Sequence, residues 1–263
     1  MPALSYFFPA HNEADNLDPL VAEALEALPQ LADRFEIICV DDGSRDGTAE
    51  MADRLAAEHP DVVRVVHHAT NRGYGGALRS GFGAARFDLV AFTDGDRQFR
   101  VADLGRLLDA MATPLSAGTS GTLSASDVVV GYRLKRADPP VRLAYARVYR
   151  ACLRLFFGLR LRDVDCACKL FRRSALTDIR VASSGAFLSA ELLIKLKESG
   201  AAISEVGVPH YPRTAGRASG ADPRVVATAV RDFWVLRLRL WANRRTAMRR
   251  GEPVLAVAST GPA

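Results

Sequence analysis

No stretch of the 263 residues reaches the roughly 18 consecutive apolar positions that a bilayer-crossing helix needs. Cysteine is scarce. The chain's 4 cysteines, Cys39, Cys152, Cys166 and Cys168, do not make the disulfide framework of a small secreted domain. Cys39 lies in the apolar run Phe35-Glu-Ile-Ile-Cys-Val40, the setting of a buried thiol. Cys166 and Cys168 have no second cysteine pair with which to build a zinc site. After the first apolar run stands Pro9-Ala-His-Asn-Glu13, not the Gly-x-Gly-x-x-Gly of a dinucleotide-binding oxidoreductase. The glycine-rich phosphate loop of a nucleotidyltransferase is missing from the same place. The N-terminus enters a strand-like segment without a basic leader, so a secretory signal is not expected. A reducing, cytoplasmic setting is the expectation these absences leave.

What is present is an ordinary globular balance, 49% hydrophobic and 25% charged, enough for one large core. The net charge of +5 is unevenly spread. Residues 222–250 alone carry +6, with eight Arg and two Asp, so the remainder is near neutral at −1. A local basic segment of this kind reads against a general nucleic-acid binder.

Short apolar runs at Ala3–Phe8, Glu36–Val40, Val62–His67 and Leu89–Thr93 read as strands. They alternate with amphipathic stretches near Asn16–Leu31, Asp46–Glu58 and Gly75–Ala85, and another helix is expected at Val101–Met111. That alternation predicts an α/β fold with a parallel sheet and crossover helices. Ser116–Ser126 is small and polar and reads as a mobile loop. A strand at Asp127–Tyr132, a helix near Val141–Phe157, a helix at Glu191–Ser199 and a strand at Ile203–Val208 follow. A basic amphipathic helix over about Arg224–Arg249 and a disordered tail after Gly251 complete the expectation.

Polar motifs follow four successive strands. Asp94-Gly-Asp96, with Arg97 and Gln98 behind it, puts two carboxylates at i and i+2 where a parallel strand ends, on the rim where such sheets bind ligands. Oxygen-rich sites of this kind suit Mg²⁺ or Mn²⁺ bridging carboxylates to a diphosphate. Val40-Asp-Asp-Gly-Ser-Arg-Asp-Gly-Thr48 follows the second strand, and Asp46 or Thr48 there can simply cap the next helix. Pro9-Ala-His-Asn-Glu13 follows the first strand. Asn71-Arg-Gly-Tyr-Gly-Gly-Ala77 follows the third, with glycines that allow close backbone approach to a nucleotide.

These motifs, in this order, resemble those of family 2 inverting glycosyltransferases with a GT-A fold, a mostly parallel Rossmann-like sheet flanked by helices. More narrowly they resemble the dolichol-phosphate mannose synthase and polyprenyl-phosphate glycosyltransferase branch. Gly131-Tyr-Arg133, Arg162-Asp-Val-Asp-Cys-Ala-Cys-Lys-Leu-Phe171 and His210-Tyr-Pro-Arg-Thr-Ala-Gly216 support the branch. The resemblance implies a nucleotide pocket lined by Pro9, Ala10, Asn12, Glu13, Asp41, Asp42, Asn71, Gly73 and Asp94. It implies a metal, Mg²⁺ or Mn²⁺, held by Asp94, Asp96 and Gln98. Asp96, Arg133, Arg213 and Asp163 are the implied catalytic set, with Arg133, Arg142 and Arg213 gathering phosphate charge. Three departures stand out, one of them the Ser/Gly-rich Ser116–Ser126 segment where the acceptor-facing loop should be. Cys166-Ala-Cys168 replaces the usual Ser-Gly-aromatic on the acceptor side, and the membrane-spanning tail of some relatives is missing.

The implied reaction is displacement at a sugar's anomeric carbon, with a nucleoside diphosphate leaving. A polyprenyl-phosphate acceptor needs no base. A hydroxyl acceptor needs a carboxylate, for which Asp163, Asp165 and Glu191 are the candidates. In the C-terminal helix Phe233, Trp234, Leu238 and Trp241 interleave with Arg231, Arg237, Arg239 and Arg245. That pattern suits an anionic membrane interface, while core packing or a dimer contact is the plainer alternative. A non-catalytic nucleotide-sugar-binding protein is the alternative of another class. The expected division is a transferase domain over 1–220, the helix over 221–250 and the tail over 251–263. The expected partners are a nucleotide-diphosphate sugar, a polyprenyl phosphate and the cytoplasmic membrane face, with no nucleic acid.

Overall fold

The structure, a computed structural model, describes residues 2–113, 125–134, 140–183, 185–213 and 223–250. Most of the Ser116–Ser126 loop, Thr214-Ala-Gly216, the tail and the side chain of Arg142 lie outside the described residues.

Seven strands form one sheet: β1 (Ala3–Ala10), β2 (Arg34–Asp41), β3 (Val63–His67), β4 (Leu89–Phe92), β5 (Val128–Arg133), β6 (Lys169–Arg172) and β7 (Ile203–Val208). Their spatial order is β3-β2-β1-β4-β6-β5-β7. β1, β2, β3 and β4 are mutually parallel, as are β5 and β7, and only β6 runs against its two neighbours. The helices are α1 (Ala14–Ala27), α2 (Thr48–Glu58), α3 (Gly73–Ala84), α4 (Leu104–Ala112), α5 (Pro140–Phe157), the short α6 (Arg173–Leu176), α7 (Leu188–Glu198) and α8 (Pro223–Arg250).

The central strands are apolar on both faces, as strands covered by helices on both sides must be. Along β1, Leu4, Tyr6, Phe7 and Phe8 are all fully buried. Phe7 of β1 pairs in register with Phe92 of β4, and their rings stack at 5.4 Å. Phe171 of β6 extends that stack, 6.2 Å from Phe92, and Phe82 of α3 meets all three rings edge-on. Gly81 lets α3 come this close, because a Cβ there would lie 2.2 Å from the Phe7 ring.

Polar groups inside the sheet are matched. Ser5 donates to Glu36 at 2.7 Å, Arg64 reaches the other Glu36 oxygen at 2.7 Å, and the Arg86 N–H donates to Glu36 at 2.8 Å. This knot joins β1, β2, β3 and the entry to β4 at the sheet's amino-terminal end. At the other end, Tyr6 and Thr93 share a hydrogen bond of 2.7 Å under the β4 turn.

The strand order reverses between β1, which leads outward to β2 and β3, and β4 on its other side. A crevice opens at such a reversal, at the carboxyl ends of the strands.

Candidate active site

The four polar turns meet at this reversal. The Asp94-Gly-Asp96 turn leaves β4 and lies against the end of β1, so close that a Cβ on Gly95 would sit 2.7 Å from the Pro9 carbonyl oxygen. Ala10 accepts the Asp42 N–H at 2.9 Å. Gly43, at φ +69°, brings the β2 turn against the backbone of 70–71, where a Cβ would approach Asn71 N to 2.7 Å. Among the described residues two non-glycines have positive φ, Asn12 at 56° and Arg97 at 59°. Both sit in these turns, as backbone strain tends to at functional sites.

Side chains lock the turns to one another. Asn12 takes the Arg45 N–H at 2.9 Å, while its own N–H donates to Ser44 at 3.0 Å. The Asp46 carboxylate accepts from the N–H groups of Thr48 and Ala14, and Thr48 accepts from the N–H of Glu13. Asp46 and Thr48 therefore clasp the starts of α1 and α2 together, a structural part. Glu13 accepts the Asn16 amide at 2.5 Å, and burial raises its carboxyl above the ordinary range.

Asp41 and Asp42 are both buried and differently held. Asp41 accepts the Ser44 N–H at 3.0 Å and meets His67 at 3.1 Å, and His67 also reaches Asp53 at 2.9 Å. Burial opposes the charge on Asp41, but the bonds from Ser44 and His67 outweigh it and hold the carboxyl below its usual range. Asp42 grips His68 at 2.6 Å and the Arg72 N–H at 2.8 Å, fixing the Asn71–Gly73 turn. Asn71, exposed, accepts the Gly73 N–H at 2.8 Å.

The β4 turn concentrates charge. Tyr74 donates to Asp94 at 3.0 Å. Burial, then the neighbouring Asp96 carboxylate, pushes Asp94 up to about 6. Asp96 accepts Arg213 at 2.6 Å and the Gln98 N–H at 3.1 Å. Gln98 is tied to the segment after β7, its carbonyl taking the Tyr211 N–H at 2.9 Å and its amide donating to the Tyr211 carbonyl at 3.4 Å. Two crowded carboxylates, with the proton affinity of Asp94 raised, are a poor resting state for a protein and a good one for a divalent cation. Mg²⁺ or Mn²⁺ fits this donor set, since such ions keep most of their coordination for water and phosphate.

β5 and β6 carry the other half of the site. Arg133, at the end of β5, forms a two-point ion pair with Asp163, at 2.6 and 2.8 Å. The two line a cavity of about 200 Å³ together with Tyr132, Ala146, Arg147, Arg150 and Arg162. Arg162 lies over the Tyr132 ring at 4.7 Å, and Arg150 donates to the Arg162 carbonyl at 2.7 Å. Four guanidinium groups thus face one lining carboxylate. β4 and β5 point the same way with β6 between them, so this pocket stands two strand spacings, roughly 10 Å, from the Asp94 turn on the same rim.

Three expectations change here. Glu191 is no base. It is 2% exposed and accepts the N–H groups of Ala182 and Ser183 at 3.0 and 2.8 Å, the Ser183 hydroxyl at 2.6 Å and Lys195 at 2.8 Å. Those bonds override the burial that alone would raise it and hold its carboxyl below the usual range. Asp163 is engaged on both oxygens by Arg133, a geometry that orients the guanidinium and leaves the carboxylate poorly placed to take a proton. Cys166 and Cys168 are fully buried, so their thiols do not line an acceptor surface. Burial pushes Cys166 up to about 12 and Cys168 well above its ordinary value.

Lys169 stands in the Arg162–Phe171 motif, where no role of its own was read for it. It is 1% exposed, lies opposite Phe92 in the β4–β6 register, sits 5.4 Å over that ring and donates to the Cys166 carbonyl. Burial lowers its proton affinity, while Asp165, Asp163 and Asp94 pull the other way. It stands between the two halves of the rim, and its one signal is a lysine inside the apolar run Cys168-Lys-Leu-Phe171. Arg147 and Arg150 were missed as well, and Arg162 and Tyr74 stood in motifs without a role of their own.

Residues 5–180 match the family described as Glycosyl transferase family 2. The chain belongs to that family. Glycosyltransferase AglD of Haloferax volcanii is 33% identical over 214 residues, 80% of this chain and 33% of that protein. The polyprenol monophosphomannose synthase of Mycolicibacterium smegmatis is 31% identical over 240 residues, 88% of this chain and 86% of that one. The dolichyl-phosphate beta-glucosyltransferase of Saccharomyces cerevisiae is 29% identical over 189 residues, 67% of this chain and 56% of that one. The chain therefore spans a third of the first of these and just over half of the last. Among solved structures, mannosyl-3-phosphoglycerate synthase from Rubrobacter xylanophilus matches with a TM-score of 0.64 at 19% identity, over 95% of this chain and 75% of that one. Glucosyl-3-phosphoglycerate synthase from Mycobacterium tuberculosis matches with a TM-score of 0.61 at 23% identity, over 89% and 80%. The fold is GT-A.

Proposed function

We propose that the chain transfers a sugar, with inversion, from a GDP- or UDP-linked donor to a polyprenyl phosphate at the cytoplasmic face of a membrane. One observation carries the acceptor assignment, namely the arginine-lined pocket roughly 10 Å from the Asp94-Gly-Asp96 turn on the same rim. Guanidinium forks match phosphate oxygens in two-point contacts. The names of the relatives support it. The Mycolicibacterium relative is a polyprenol monophosphomannose synthase, and a Pseudomonas fluorescens relative is an undecaprenyl-phosphate 4-deoxy-4-formamido-L-arabinose transferase.

In this reading the turns bearing Pro9, Ala10, Asn12, Glu13, Asp41, Asp42, Asn71 and Gly73 hold the nucleotide. Asp94 and Asp96, with Gln98 beside them, hold Mg²⁺ or Mn²⁺. A Mycobacterium tuberculosis enzyme of the same fold was solved with Mn²⁺ and UDP. When bound, the cation neutralises charge on the departing diphosphate. Arg213, paired with Asp96 in the resting chain, turns to the phosphates. Arg133, oriented by Asp163, and Arg147 hold the acceptor phosphate. A phosphate oxygen bonds to the anomeric carbon as the bond from that carbon to the diphosphate oxygen breaks. The nucleoside diphosphate leaves with the electron pair, and a single displacement inverts the centre. The acceptor is already anionic, so no base is required, in keeping with the commitment of Asp163 and Glu191 to other partners. The division into a transferase domain over 1–220, a basic helix over 221–250 and a tail belongs to the same proposal.

The test is transfer of labelled sugar to polyprenyl phosphate across GDP- and UDP-sugars with Mg²⁺ or Mn²⁺. A labelled lipid product that EDTA and Asp96→Ala each abolish is the expected result. Metal-dependent release of nucleoside diphosphate with no lipid product would move the acceptor to a hydroxyl.

A further inference from the structure

α5 has two faces at work. One lines the arginine pocket with Ala146, Arg147 and Arg150. The other exposes Tyr145 at 72%, Val148 at 63% and Leu155 at 78%. The spacing of 145, 148, 152 and 155 puts these side chains, with half-buried Cys152, on one stripe of the helix. Large apolar groups left this open, in a chain with so complete a core, call for a partner.

α8 runs alongside. Phe156 of α5 meets Phe233 at 5.6 Å and Trp234 at 5.2 Å. Phe233, Leu236 and Leu240 turn into the core, while Val226, Val230, Trp234, Leu238 and Trp241 face out at steps of four, four, four and three. Arg245 stacks on Trp241 at 3.6 Å. By sequence the two helices hold twelve arginines and a single acid, Asp232. Among the described residues no helix is long and apolar enough to cross a membrane.

We propose that α5 and α8 form one docking face for an anionic bilayer, with α5 seating the arginine pocket at headgroup level. The charge selects the occupant. A second copy of this face would set guanidinium against guanidinium, whereas anionic headgroups neutralise them and the apolar stripes enter the acyl boundary. The purpose of the face rests on the lipid-phosphate reading, because a lipid phosphate held in the pocket can then keep its chain in the membrane.

The test is flotation of the full chain with vesicles of phosphatidylcholine containing phosphatidylglycerol, without donor or acceptor, at low and high salt. The wild-type chain should bind, and salt should weaken the binding. A variant carrying Tyr145→Gln, Val148→Gln and Leu155→Gln should bind about tenfold or more weakly, the scale expected for removing several apolar side chains from an interface. The same variant should lose transfer to polyprenyl phosphate in those vesicles yet retain transfer to a short, water-soluble prenyl phosphate, which also reports an intact fold. A second variant, Trp234→Gln with Leu238→Gln, should behave alike through α8. Wild-type vesicle binding by the α5 variant would overturn the part given to α5. A wild-type dimer that the α5 variant dissociates, with no vesicle binding, would make the face a contact between copies and overturn the proposal. Vesicle binding is read without acceptor, so a wrong acceptor assignment shows separately, as no transfer to the short prenyl phosphate.

Discussion

Asp163 and Arg133 divide one question between them. The carboxylate occupies Nε and one terminal nitrogen of the guanidinium, which fixes the plane of the fork that faces the cavity. If orientation is its whole task, Asp163→Asn loosens the fork without removing a proton acceptor. The KM for lipid phosphate should then rise on the order of tenfold, the scale of one charged hydrogen bond. Both kcat and the pH profile should change little. A collapse of kcat, with loss of the acidic limb of the profile, would instead make Asp163 a base. Gly95 poses a simpler steric question. Its missing Cβ makes room for the Pro9 carbonyl at 2.7 Å, a backbone atom that cannot swing away. Gly95→Ala should therefore displace the Asp94 and Asp96 carboxylates and cut activity about a hundredfold, as misplacement by an ångström can do. Because the strain is confined to a rim turn, circular dichroism should show the fold retained.

Strand–turn–helix units were legible because each carries its own punctuation, an apolar run and then a polar turn with glycine. That is why the turns after β1, β2, β3 and β4 could be read from the chain before any of them was seen to meet. β6 escaped because four residues headed by a buried lysine match neither an alternating nor a continuous apolar pattern. Its antiparallel place between β4 and β5 is a long-range fact, and so is the position of Lys169. Arg147 and Arg150 of the pocket were unreadable for a like reason, although Arg133 beside them was read. With 31 arginines in the chain, nothing local separates Arg147 or Arg150 from the rest; the cavity exists only where β5, α5 and the turn at 162–163 converge. Glu191 shows the converse, an acid that looked available until the turn at 182–183 closed over it. The knot at the opposite end of the sheet gives this scale its prediction. Glu36→Ala removes the acceptor shared by Ser5, Arg64 and the Arg86 N–H, but Arg64 keeps the Ala84 carbonyl and the Arg86 N–H keeps Ser5 Oγ. The loss should therefore be about 1.5–3 kcal/mol, the scale of a hydrogen bond to a charged group and below that of a fully buried pair. Chemical denaturation should show that loss, and adding Arg64→Met should restore part of it by removing the uncompensated charge.

For the molecule as a whole, the Asp96–Arg213 pair ties the rim of β4 to the segment that follows β7, so on the proposed function donor binding would exchange one closure for another. If the proposed function holds, a cation with nucleoside diphosphate binds the folded chain and not the unfolded one, and at a hundred times its Kd it should add about 2.7 kcal/mol of stability. For a chain of this size that is a rise in Tm of roughly 5–10 °C. The pH dependence follows from Asp94. Its folded proton affinity, pushed up to about 6 by burial and by Asp96, lies above the ordinary value of 3.8. A raised carboxyl favours the protonated folded state, so below about pH 6 the cation must first displace a proton. The Tm rise given by Mn²⁺ with nucleoside diphosphate should thus be full near pH 7.5 and shrink steadily as pH falls through 6, while ligand-free Tm need not follow the same curve. Asp94→Asn removes the titrating group, so any small remaining rise should lose this pH dependence. A rise of undiminished size at pH 5 in the wild-type chain would show that Asp94 does not meet the cation.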